Sequence, residues 1–129
     1  MLPFIVHFKS GAPVYEQVLL AVKRAVAAGQ LVPGDKFPSV RVLSQELRIN
    51  PNTAHKVVST LVEEGVLRVQ PGIGTVINER RAAPAEQRQQ LLEQEVERLV
   101  VDARMISLRL EDLLNAIRRA WSRLVREHR

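Results

Sequence analysis

The chain has 129 residues, enough for one ordinary domain or a small domain with an appendage, and its formal charge of +5 with a sequence pI near 10.4 favours a polyanionic partner. The absence of cysteine excludes disulfide frameworks and thiolate metal sites and suits a reducing cytosol, and no apolar run approaches the roughly 18 residues of a membrane span. An aromatic content of 4% argues against a base-stacking binder of single strands.

The start, MLPFIVHFKSG, lacks the basic n-region of a signal peptide. Residues 2–8 alternate Phe4, Val6 and Phe8 against Ile5 and His7, the pattern of a short β segment or an arm with His7 on its solvent side. Ser10-Gly11-Ala12-Pro13 is a turn, and Pro13 opens a helix of about fifteen residues. Tyr15, Val18, Leu19, Val22 and Val26 line one side of it, while Lys23 and Arg24 near its end suit the helix dipole and simple solvation, and have the reach to touch a phosphate backbone. Gly29 stops this helix, Leu31 offers an apolar plug, and Pro33-Gly34-Asp35 turns the chain through Phe37-Pro38.

The next stretch carries the functional signal. Ser39 is the expected N-cap of a helix through about Leu47, with Val40, Leu43 and Leu47 inward and Arg41 projecting from its first turn. Arg48, Ile49 and Asn50 connect it to a third helix, in which Asn50 is the cap and Pro51 holds the first helical position. Ala54, Val57, Val58 and Leu61 then recur at i, i+3, i+4 and i+7, and Gly65 ends the helix in a left-handed conformation. The opposite face gathers Asn52, His55, Lys56 and Ser59, with Thr53 at its flank, and is free of acids until Glu63. Two short helices on so short a link have the pattern of a helix-turn-helix, whose second helix enters the DNA major groove. Arg41 and Lys56 have the charge and reach to contact phosphate or a guanine edge, and Asn52 the bidentate amide that pairs with adenine.

After Gly65 the period changes from 3.6 to 2, through Val66-Leu67-Arg68-Val69-Gln70, Pro71-Gly72-Ile73-Gly74 and Thr75-Val76-Ile77-Asn78. This hairpin would complete a winged helix. Gly72 and Gly74 at its tip leave little side chain to obstruct approach to DNA, and plain hairpin geometry asks for the same residues. Arg68 and Gln70 are expected to face away from the core.

Residues 79–85, ERRAAPA, have the composition of a hinge, and 86–129 then contains neither glycine nor proline. Leu92, Val96, Leu99, Val100 and Ala103 form one apolar row. Leu110, Leu113, Leu114, Ile117, Trp121, Leu124 and Val125 form a second, reaching roughly 24 Å along a helix. The turn between the rows falls at Met105 to Arg109, unless one helix runs through. Helices of about 45 residues in all cannot enclose a core of their own. The simplest partner is a second copy of the chain, met through Leu99, Leu110, Leu113, Leu114, Ile117, Trp121 and Leu124 with Trp121 as anchor; the other option is packing back on the chain's own winged helix.

The segments VYEQV, GQLVPGDKFPSVRVLSQEL, INPNT and LVEEGVLRVQPGIGTVI, and above all the ordered series PGD, FPSVR, INPNT and GxGT, resemble the DNA-binding domain of GntR-family bacterial regulators. The short all-helical tail resembles the YtrA subfamily. The resemblance implies a mainly α fold with a small β-wing: a winged helix-turn-helix DNA-binding domain over 1–78, with 1–10 as arm or strand, then the hinge and a two-helix dimerisation and effector tail over 86–129. It also implies a repressor binding a palindromic double-stranded operator as a homodimer, often near genes for an ABC-type transporter. Arg41 with Ser39 beside it, Asn50, Asn52, Thr53, His55 and Lys56, and Gly72 and Gly74 at the wing tip match the family's DNA-contact positions. His55-Lys56 stands where such proteins often carry arginine or another long polar residue, and Ser107 and Arg109 stand where they often carry a helix-breaking glycine and a capping serine.

The competing reading is a winged-helix module for protein–protein assembly with a coiled-coil adaptor tail, which would not need the acid-free polar face. An enzyme is excluded by inventory: no thiol, His7, His55 and His128 scattered, and no glycine-rich phosphate loop. No cofactor or metal is expected, nor a membrane partner, and the location expected is the cytoplasm. The tail is too short to enclose a small-molecule effector within one subunit, so such a ligand is expected at the dimer interface or between tail and winged helix.

Overall fold

The computed structural model describes residues 1–80 and 83–127, so the expected hinge is described except for Arg81 and Ala82, and His128 lies outside the described residues. The chain divides into two compact units, Met1–Arg80 and Arg81–Leu124.

In the first unit each helix starts and stops on local chemistry. Helix α1 spans Val14–Ala27 and ends at Gly29, whose φ of 78° lies in the left-handed region that glycine enters without strain. Helix α2, Val40–Leu47, is capped by Ser39, whose Oγ accepts from the Val42 amide at 3.2 Å. Helix α3, Pro51–Glu63, is capped by Asn50, whose Oδ1 accepts from the Asn52 amide at 2.8 Å. Between them Arg48 takes φ 55° and ψ 46°, a left-handed conformation uncommon for a residue with a side chain. The link is tied by the Ser44 hydroxyl, which donates to the Ile49 carbonyl at 2.8 Å.

Strands β1, Leu67–Gln70, and β2, Gly74–Ile77, pair antiparallel with Leu67 opposite Ile77 and Val69 opposite Thr75. The segment before α2 does more than turn. The Gly34 amide donates to the Ile77 carbonyl at 2.9 Å, the Ile77 amide to Asp35 at 2.9 Å and the Phe37 amide to Thr75 at 2.8 Å, so residues 34–37 cover the outer edge of β2.

One core joins these elements: Val18, Ala21, Val22 and Ala25 of α1, Leu31, Phe37, Leu43 of α2, Ala54, Val57 and Leu61 of α3, then Leu67 and Ile77 of the hairpin. Phe4 belongs to it too, stacked on Phe37 with ring centroids 5.7 Å apart. Residues 2–8 form no strand, although Leu2 and Val6 also pack inward; Phe8, of the same alternating set, is exposed. Helix α1 is fastened to α3 by Tyr15 Oη and Thr60 Oγ1, 2.6 Å apart, and by Lys23 Nζ and Glu64 Oε2, 2.7 Å apart.

In the second unit, α4 (Ala85–Gln89), a π-helical stretch (Gln90–Glu95) and α5 (Val96–Met105) follow one another without a break. The chain then turns. Ser107 adopts φ 59°, and the Leu108 amide donates to the Ala103 carbonyl at 2.9 Å to close the corner before α6, Leu110–Glu127. The tail is therefore two helical rods, with a serine holding the left-handed position at the corner. Among the described residues of these helices, Ala103 is the one buried side chain, and no helix is long and apolar enough to cross a membrane.

Candidate nucleic-acid interface

The face opposite the α3 core stripe forms as the 3.6-residue period requires: Ala54, Val57 and Leu61 are fully buried, while Asn52, His55, Lys56 and Ser59 are exposed and Thr53 is half-buried at the flank. No carboxylate lies on α3 before Glu63. Arg41 is exposed on the first turn of α2, which packs against α3 across Leu43 and the link. Helix pair, caps and link thus present one polar surface on a rigid support.

The side chains of that surface differ in how they are held. Ser39 and Asn50 spend their side-chain oxygens on helix capping, which leaves them to fix the helix starts. His55 Nδ1 lies 3.5 Å from Ser59 Oγ on the next turn. Lys56 is the most constrained: its Nζ sits 4.3 Å from the centroid of the Tyr15 ring. Tyr15 is 41 positions away in sequence; the apolar period marks its inward side but not its contact with α3. Lys23, in turn, makes a tie between helices through Glu64.

At the wing, Gly72 and Gly74 are exposed with φ of 78° and 116°, so the tip conformation itself calls for glycine. Arg68 Nη1 donates to Gln70 Oε1 at 3.1 Å, the two side chains sharing the strand face opposite Leu67. Val69, on the Leu67 face, is 66% exposed, because the hairpin runs past the end of the core.

Of the residues expected to join two chains, Leu99, Leu110, Leu114, Ile117 and Trp121 are exposed in the single chain, while Leu113 and Leu124 are half-buried. Trp121 is 74% exposed and Leu110 63%.

Comparison with known proteins shows the family and the fold. The family described as bacterial regulatory proteins, gntR family, matches residues 14–77, from the first residue of α1 to the last of β2. The HTH-type transcriptional repressor YtrA of Bacillus subtilis is 34% identical over 106 residues, covering 81% of this chain and 82% of that protein, so the likeness continues into the tail. A transcriptional antiterminator from Listeria monocytogenes has the same fold, with a TM-score of 0.83 at 23% identity over 95% of this chain and 92% of its own. YtrA from Sulfolobus acidocaldarius, a GntR-family transcription factor, aligns with a TM-score of 0.53 at 27% identity over 92% of this chain and 97% of its own. An exposed, acid-free polar face on a winged helix, in a chain related to YtrA over four-fifths of its length, makes this a DNA-binding transcription regulator rather than an enzyme, and a member of the GntR family of bacterial regulatory proteins.

Proposed function

We propose that this protein is a cytoplasmic repressor that binds a palindromic operator as a homodimer and controls a transporter operon. The observation that carries the dimer is the apolar row of α6, with Leu110, Leu114, Ile117 and Trp121 uncovered in the single chain. Such a row needs a partner, and a second copy meets it with an identical, self-complementary row. Two recognition helices then address half-sites about one helical turn, roughly 34 Å, apart. In each head Arg41, Asn52, Thr53, His55 and Lys56 make the groove contacts, Ser39 and Asn50 set the helix ends beside phosphate, and Gly72 and Gly74 let the wing tip come close to the backbone. The repressor role rests on the likeness to the transcriptional repressor YtrA, and the transporter operon on what the resemblance to the YtrA subfamily implies. A small-molecule effector would act by changing the spacing of the two heads.

The test is selection of a short duplex from a randomised pool, followed by titration at two salt concentrations with the wild type and Arg41→Ala. Enrichment of one palindrome, a steep loss with salt and a large loss in the variant are the expected results. Enrichment of a single half-site by a monomer would sink the proposal.

A further inference from the structure

Lysine is normally a flexible contact: its stem has four rotatable bonds, and its ammonium meets phosphate as a point charge, which carries no sequence information directly. Lys56 is held differently. Its ammonium stands 4.3 Å from the centre of the Tyr15 ring, and that ring is itself pinned, because Tyr15 Oη lies 2.6 Å from the hydroxyl of Thr60, one turn further along α3. Tyr15 is half-buried, its neighbour in the first turns of α1, Val18, is fully buried, and the Lys23 to Glu64 pair at 2.7 Å fastens the same two helices. The ring is a fixed wall built by one helix for a side chain of the other. A cation over an aromatic face keeps its charge and loses conformers, and its remaining N–H donors point away from the ring.

We infer that Tyr15, anchored by Thr60, is a positioning residue that aims Lys56 from the recognition helix, so that Lys56 discriminates between DNA sequences instead of adding charge alone. This rests on the reading of α3 as the DNA-reading helix. It makes α1 part of the specificity apparatus through a contact made within the protein.

The experiment is a double-mutant cycle on the full chain, titrating the selected palindrome and a scrambled duplex of the same composition. The proteins are wild type, Tyr15→Leu, Tyr15→Phe, Lys56→Gln and the double variant Tyr15→Leu/Lys56→Gln. Tyr15→Leu is expected to weaken palindrome binding about two- to fivefold, the scale of an exposed cation–π contact, with little change on the scrambled duplex. Tyr15→Phe keeps the ring but loses the anchor to Thr60, and should recover part of that loss. In the Lys56→Gln background, Tyr15→Leu should have no further effect. Proton NMR of the free protein gives a second readout: the Lys56 methylene resonances are expected upfield under the ring current in wild type and Tyr15→Phe, and at ordinary positions in Tyr15→Leu.

Equal weakening on both duplexes, additive losses in the double variant, or tighter binding by Tyr15→Leu would overturn the inference, the last because the ring would then be withholding Lys56. If Tyr15→Leu does not fold, Tyr15→Phe and the wild-type methylene shifts decide alone: resonances at ordinary positions in the wild type overturn it. A failure of the DNA-reading assignment would appear instead in the wild type, as no duplex enriched from the pool.

Discussion

The winged-helix unit and the tail are both built from amphipathic helices, yet they dispose of the apolar face in opposite ways. Three helices and a hairpin close around Val18, Val22, Leu43, Val57, Leu61 and Ile77, each with essentially no accessible surface. The tail has two rods with one corner, and among its described residues Ala103 is the one buried while Leu110, Ile117 and Trp121 stay open. Two helices can bury at most the strip where they touch, whereas three crossing helices with a sheet enclose a volume. The first unit therefore encloses an apolar core, and most of the tail's apolar side chains are exposed in the single chain.

Substitutions can break this contrast, and the largest effect belongs to the enclosed core. Leu61→Ala is expected to destabilise the chain by about 2–5 kcal/mol in chemical denaturation, the range for a fully buried leucine that leaves a cavity. A loss below about 1 kcal/mol would show that the core is not close-packed there.

On the tail, Trp121→Glu should leave the unfolding of the winged-helix unit unchanged and act on assembly. Light scattering is expected to report monomers, and operator affinity to fall by on the order of a hundredfold, the avidity lost when two heads are no longer linked. A variant that stays dimeric would remove Trp121 from the interface.

A smaller and opposite effect is expected at the link. Arg48 holds φ 55°, so Arg48→Gly should stabilise the chain by roughly 0.5–1 kcal/mol, the relief of left-handed strain less the added freedom of the unfolded chain. A lower melting temperature would mean that the arginine side chain contributes more than its backbone gives up.

The smallest effect is at the tail corner, where Arg109 and Glu111 approach to 3.7 Å with both side chains largely exposed. Glu111→Gln is expected to leave thermal stability unaltered within error, because solvent screens such a pair.

Much of this was legible in the sequence because it depends on near neighbours in the chain. Ser39 and Asn50 as caps, Pro51 at the first helical turn, the α3 stripe and its polar reverse, and the change of period after Gly65 all follow from contacts within four residues or so. Helix caps and amphipathic periods are local, so local chemistry is enough to place them. The switch from one tail row to the next was visible as well, whereas its corner at Ser107 carried no glycine to mark it.

What the tertiary structure decided lies at longer range. Phe4 enters the core from a segment that reads as a short strand or an arm and is an arm, because it stacks on Phe37, 33 positions on. The segment at 34–37 pairs with β2 instead of merely turning. Lys56 meets Tyr15 because α1 and α3 pack together. The sequence by itself determined which residues cap, alternate and form stripes, since those follow from backbone geometry over a few residues. Which distant side chains share a contact, and which apolar faces stay open, was left to the packing of whole elements, where closing a long loop is repaid only by surfaces the chain brings together on folding.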